Sequence, residues 1–215
     1  MTMTYSGVLV RPDNDNAPTL LDIALGLSRQ PRFAGQCRRW WSVLDHSLFA
    51  GEMAARDGQN SRTVLSVLLH DAHEALTGDT PTSLKTDDQR AVQHALDQRI
   101  ARDFFPGGAA AFAAESPRIK EYDRRALLAE ALVVGPPSLS TISADEFVMH
   151  FGGLPRKKDC DLLRELLLDS LVGREEVIML GVEAPNVRQY VEMCAQMRLW
   201  PANDDKVVLT GSKSL

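Results

Sequence analysis

His46, His70, Asp71 and Asp123 are two imidazoles and two carboxylates carried on three separate stretches of helical pattern. Brought together, they would make a four-ligand set for a divalent cation. Nitrogen and oxygen donors without thiolate suit Zn, Mn, Co, Ni or Fe(II), and leave positions for water or a phosphate oxygen. Each residue also has a plainer reading. A His-Asp pair such as His70-Asp71 is commonest on a solvated helix face. His46 shares an apolar stripe with Phe49, Ala50 and Met53, and could be a satisfied core histidine. Asp123 lies among Ile119, Tyr122, Ala126, Leu127 and Leu128, where an unpaired carboxylate is costly; a salt bridge to an arginine such as Arg124 or Arg125 is the alternative to a metal.

The elements that must position these groups are all helical in pattern. Residues 62–76 form the central one. At roughly 100° per residue, Val64, Leu65, Leu68, Leu69, Ala72, Ala75 and Leu76 gather on one side, and His70, Asp71 and Glu74 share an arc on the other. Gly78 should end that helix, and Asp79, Pro81 and Lys85 follow in a loop from the same end. Further helices are predicted over 19–28, from a Ser42 cap through His46, and over 87–105, 118–132, 157–171 and 186–199. The Ala-rich run after Pro106 reads as a connection or a short irregular helix, and 138–153 as mixed loop with at most one helical turn. Residues 29–41 mix Arg with aromatics, a composition suited to a ligand-carrying loop, although Trp40 and Trp41 read better as packing at the core edge. His73, His94 and His150 are assigned no chemistry. The predicted fold is all-α, a single-domain helical bundle over 18–200 between a flexible N-terminal lead-in (1–17) and a C-terminal tail (201–215).

Composition narrows the function classes. A chain of 215 residues with 44% hydrophobic content can bury a real core. A net charge of -5 gives no electrostatic track for a polyanion, which disfavours nucleic-acid binding but leaves a small phosphorylated ligand open. Three scattered cysteines, Cys37, Cys160 and Cys194, make no disulfide framework. With neither a signal peptide nor a membrane-length apolar run, a cytoplasmic protein is expected. There is no glycine-rich phosphate loop and no Gly-x-Ser-x-Gly elbow.

The order H…HD…D resembles the HD-domain metal phosphohydrolases, all-helical enzymes that cleave phosphate esters. More closely, five blocks resemble the compact branch that contains bacterial 5′-deoxynucleotidases and phage dATP triphosphohydrolases. The blocks are Arg32-Phe33, Asp45-His46-Ser47, Leu69-His70-Asp71-Ala72-x-Glu74-Ala75, Gly78-Asp79-x-Pro81-Thr-x-x-Lys85 and Ile119-Lys-Glu-x-Asp123. They span roughly residues 20–135; nothing aligns after Leu132. The resemblance implies an HD-type bundle with metal ligands His46, His70, Asp71 and Asp123, a catalytic Glu74 and a second acid, Asp79. It implies that Arg32 and Phe33 meet the nucleotide, Phe standing where the family has Trp, and that Lys85 faces a phosphate. The expected cofactor is Zn, Co or Mn, with Mg at the phosphates as a further candidate. The expected substrate is a 2′-deoxynucleotide, with a lean to the triphosphate over the 5′-monophosphate, and the expected assembly is a homo-oligomer. Two rival readings remain: a phosphodiesterase of the wider HD class, and a nucleotide-sensing or protein-binding module with a structural metal.

Overall fold

The computed structural model describes residues 2–11, 14–81, 84–171 and 185–199. The helices start where side chains can satisfy the first free backbone N–H groups. α1 (Leu20–Ser28) opens with a reciprocal capping box: the Thr19 hydroxyl accepts from the Asp22 N–H, and the Asp22 carboxylate accepts from the Thr19 N–H. Ser42 and Asp45 do the same for α2 (Val43–Arg56), one turn before His46. Asn60 caps α3 (Ser61–Leu69). Here the structure departs from the sequence pattern, because the helix predicted through Leu76 stops at Leu69. Residues 70–73 continue as tight turns, with Ala72 N–H bonded to Leu69 O at 3.1 Å and Glu74 N–H to Asp71 O at 2.9 Å. α4 (Glu74–Thr77) is a single turn, closed by Gly78 at φ 80°, a conformation that glycine adopts without strain.

The architecture is all-α, as predicted. α2 packs against α3, α7 (Ser116–Val133) and α10 (Pro185–Leu199), and α3 against α7 and α10. Their shared core is built from buried side chains such as Phe49, Met53, Leu65, Leu68, Tyr122 and Tyr190. The Tyr190 hydroxyl donates to Leu68 O at 3.0 Å and fixes α10 to α3. α9 (Lys157–Leu171) lies on α7, and α5 (Asp87–Phe104) pairs with α6 (Gly108–Ala114). Arg125 spans the α7–α9 contact. Its guanidinium meets Asp159 at 2.7 Å and Asp57 at 2.6 Å, so it is not the partner of Asp123. No helix among the described residues is long and apolar enough to cross a membrane.

Two segments carry more structure than their sequence suggested. In the expected flexible lead-in, Thr2–Met3 pairs antiparallel with Leu9–Val10, and Ser6 donates its N–H to Asp22 at 2.8 Å. In the expected loop over 138–153, a 3-10 turn (Pro137–Ser140) leads to α8 (Ala144–Phe151), capped by Ser143 with Glu146. Phe147 of α8 joins Leu128 and Ala131 of α7 in a second small apolar cluster, onto which Phe33, Leu139, Ile142 and Phe151 pack. The C-terminal tail (201–215) lies outside the described residues.

α1 and α4 meet where there is no room for a side chain. A Cβ added at Gly26 would stand 2.7 Å from Ala75 O and 2.8 Å from Ala75 Cα. Gly26→Ala should therefore push α4 away and destabilise the fold by about 1–3 kcal/mol, read as a lower urea midpoint. An unchanged midpoint would show that the contact yields freely.

Candidate metal centre

α2, the end of α3 and α7 bring the two imidazoles and two carboxylates to one place. His46 is fully buried. Its Nδ1 lies 2.8 Å from Glu130 Oε1, while its Nε2 faces His70 Nε2 at 3.3 Å. His70 Nδ1 lies 2.7 Å from Val67 O, a carbonyl that can only accept, so this nitrogen carries the proton. Glu130, an ionised carboxylate, sets the same tautomer on His46. Both Nε2 lone pairs then point into one space, an arrangement that calls for a cation or a proton between them.

The carboxylates complete that space. Asp123 Oδ1 is 3.3 Å from His46 Nε2 and 3.8 Å from His70 Nε2. Asp71 Oδ2 is 3.0 Å from His70 Nε2 and 3.7 Å from His46 Nε2. The donor atoms of His46, His70 and Asp123 all lie within 4.8 Å of one another, and this group could hold a metal ion. Burial disfavours a charged His70, yet the adjacent Asp71 and Asp123 raise its pKa well above the ordinary histidine value. Burial likewise opposes ionisation of Asp71, but the neighbouring His70 outweighs it and holds the carboxyl below the usual carboxylate range. A field that collects protons on imidazoles in this way also attracts a divalent cation. One expectation is corrected: Asp123 is not enclosed by apolar neighbours, since 45% of its side chain is exposed. α7 buries Tyr122 and Ala126 and leaves Asp123 at the mouth of the cluster.

A second ring of charge surrounds the first. In a 3-10 turn residues three apart eclipse, so the tight turn at 70–73 sets Glu74 over Asp71. Burial, reinforced by Asp71 and Asp79, pushes the Glu74 carboxyl up to about 8, against the pull of His73 and Lys85. Lys85 Nζ stands 3.7 Å from Glu74 Oε1, and Glu74 Oε2 has no hydrogen-bond partner among the described residues. Burial raises the Asp79 pKa as well, with Arg32 opposing it. Arg32 bridges the acids, Nη1 lying 3.7 Å from Asp79 and Nη2 3.6 Å from Glu130.

The loop that delivers Arg32 is strained. Phe33 (φ 53°, ψ 36°) and Ala34 (φ 50°, ψ 32°) are consecutive left-handed residues with side chains, a conformation that costs about 1 kcal/mol or more per residue. Backbone bonds hold it in place: Arg32 N–H to Trp41 O at 2.9 Å, and Arg38 N–H to Val134 O at 3.0 Å. The result sends Arg32 toward the acids and Phe33 onto the second apolar cluster, its ring 5.9 Å from the Arg32 guanidinium carbon.

The structure thus gathers His46, His70, Asp71 and Asp123, with Glu74, Asp79, Arg32 and Lys85 around them and Phe33 at the edge. Glu130, which orients His46, was not among the predicted site residues. Its signal was available: Glu130 lies seven residues beyond Asp123, two turns along the same helix face, between Ala129 and Ala131. His73, given no role, is buried and bonded through Nδ1 to Asp97 at 2.8 Å, which ties the 70–73 turn to α5. Trp41 is buried as expected, but Trp40 is exposed. A cleft of about 410 Å³ opens elsewhere, between the N-terminal hairpin and α5. It is lined by Val10, Leu76, Thr77, Val92 and Leu96 among others and includes none of the cluster residues. Protein-family models give no match to the chain, and a search of curated proteins finds none with significant similarity.

Proposed function

We propose that this chain is a metal-dependent phosphohydrolase of 2′-deoxynucleotides, acting on the triphosphate in preference to the 5′-monophosphate. The observation that carries the reading is the pair of Nε2 atoms facing each other at 3.3 Å, each imidazole fixed through Nδ1, with Asp71 and Asp123 alongside. Asp71 serves as a fourth ligand with His46, His70 and Asp123. A divalent cation bound by these residues would lower the pKa of water and offset phosphoryl charge. Glu74, close by but outside the ligand set, takes the proton from the attacking water. Arg32 and Lys85 leave their carboxylate partners to hold phosphate oxygens, Arg32 through its planar fork. Asp79 and Glu130 keep the Arg32 guanidinium in place before substrate arrives. The preference for the triphosphate rests on the resemblance of Arg32-Phe-Ala-Gly35 and Asp123-Arg-Arg-Ala-Leu-Leu-Ala-Glu130 to the phage-type enzymes.

The test is to incubate metal-loaded protein with nucleoside mono-, di- and triphosphates and to separate the products by chromatography. Release of inorganic triphosphate from a deoxynucleoside triphosphate is expected; release of phosphate from a monophosphate would move the assignment to a 5′-deoxynucleotidase. Elemental analysis should find about one transition-metal ion per chain, and chelation should abolish turnover until metal is restored. Full activity in metal-free protein contradicts the reading. Metal retained without turnover of any nucleotide favours a sensing module with a structural ion.

A further inference from the structure

We propose that the cleft between the N-terminal hairpin, α4 and α5 is a binding site for a small aliphatic carboxylate, which braces the turn that carries Glu74. The cleft has a volume of about 410 Å³ and shares no residue with the metal centre. That volume is in the range of small-molecule sites. Its walls are Val10 of the hairpin, Leu76 of α4, and Ala91, Val92, Ala95 and Leu96 of α5. These side chains are aliphatic. A nucleobase would find no ring to stack on among them, whereas an alkyl chain would leave water along its whole length. Charge at one end selects the head group. Val92, Ala95, Leu96 and Arg99 follow one another at helical spacing along one face of α5, so Arg99 closes the apolar stripe. Arg99 Nη1 donates to Arg11 O at 2.9 Å, which brings a second cleft-lining arginine to the same end. Both arginines have other partners, but a guanidinium has five N–H donors and can take a carboxylate beside them. From Val92 to Arg99 is about 10 Å along the helix, a length that suits octanoate with its carboxylate at the arginines.

The position of the cleft gives its occupant a consequence. α4 is one turn long, with Glu74 at its start and Leu76 and Thr77 on the cleft. Toward α1 it has no slack, since Gly26 meets Ala75 where a Cβ would not fit. Toward α5 it is held by polar contacts: Gln93 Nε2 donates to Thr77 Oγ1 at 3.4 Å, and His73, the residue before Glu74, meets Asp97 at 2.8 Å. An alkyl chain in the cleft packs against Leu76 and adds contacts on that second side. The turn then opens less often, and Glu74 is held with it. Binding and bracing do not depend on the phosphohydrolase reading.

The test titrates octanoate into the purified chain by calorimetry, with octan-1-ol as the same chain without charge, and follows amide hydrogen exchange over residues 74–78 by mass spectrometry. One octanoate per chain is expected, with slower exchange over that turn. Ala95→Phe, which fills the cleft, should weaken binding by at least about tenfold and abolish the change in exchange. Arg99→Gln should weaken octanoate by about 10–100-fold, the size of a lost hydrogen bond to a charged group, and octan-1-ol by less than about twofold. Val92 is 39% exposed, so Val92→Glu, which sets a carboxylate against the ligand's own, blocks the site if Ala95→Phe loses helix by circular dichroism. Wild-type octanoate affinity in either folded blocking variant, or no binding at all, overturns the site. Equal losses for acid and alcohol in Arg99→Gln overturn the carboxylate assignment, and binding without slower exchange overturns the brace. No readout uses nucleotide turnover, so a failure of the phosphohydrolase reading is seen separately.

Discussion

Glu74→Gln should lower kcat by about 10²–10⁴-fold while metal content and KM stay close to wild type. The expectation follows from placement. Glu74 is buried, follows Asp71 by one tight turn, and presents one carboxylate oxygen without a hydrogen-bond partner among the described residues. Its raised pKa adds two pH-dependent signatures. As a base Glu74 works ionised, so turnover should climb with pH up to a limb at or below about 8, the cation pulling it lower, and Glu74→Gln should lack that limb. For stability, a carboxyl with an ordinary pKa of 4.5 raised to about 8 binds its proton more tightly in the folded state than in the unfolded chain. In metal-free protein its contribution is complete below 4.5 and is lost as pH rises to about 8, so Glu74→Gln should raise the Tm of the metal-free protein at pH 8. Near-normal kcat with metal in place would take the base role from Glu74 and pass it to Asp79.

Glu130→Ala should weaken metal binding by about 10–100-fold, although Glu130 is no ligand. The carboxylate is fully buried between the His46 imidazole and the Arg32 guanidinium. Burial alone would raise its pKa, but His46 and Arg32 hold it below the ordinary value, so it is charged at neutral pH. Its removal frees the His46 tautomer and leaves the Arg32 guanidinium with Asp79 as its remaining carboxylate partner, so stability should fall as well, by about 1–3 kcal/mol. Glu130→Gln keeps an acceptor for His46 Nδ1 but loses the charge, and should fall between the two in both properties. Competition with a chromogenic chelator gives metal affinity, and urea unfolding gives stability. Wild-type metal affinity in folded Glu130→Ala would show that the His46 orientation is fixed by packing alone.

Most helices were legible because their information is local. The stripes of α2, α5, α7, α9 and α10 repeat at helical period, and a Thr19-x-x-Asp22 or Ser42-x-x-Asp45 pattern satisfies its own helix end whatever the rest of the chain does. α8 was missed because eight residues hold few turns of pattern, and its apolar side, centred on Phe147, has meaning only against Leu128 and Ala131. The break after Leu69 was missed for a related reason. Residues 62–76 satisfy a continuous helical period, and nothing in that period distinguishes α geometry from the 3-10 turns that bring Glu74 over Asp71.

For the site, sequence by itself determined the inventory: two imidazoles and two carboxylates without thiolate, an acid one turn beyond His70, and an Arg-aromatic pair ahead of them. Donor chemistry is a property of residue type and survives any fold. Which way each donor points is not. Only the tertiary structure turned both Nε2 atoms toward each other, because that depends on Val67 O and Glu130 occupying the Nδ1 sides. Only the tertiary structure left Asp123 at an open mouth, gave Arg125 to Asp57 and Asp159, and set Phe33 in a left-handed turn over an apolar lobe. These outcomes are settled by partners far apart in the chain, His46 and Glu130 by 84 residues and Phe33 and Phe147 by more, and a local period carries no record of them.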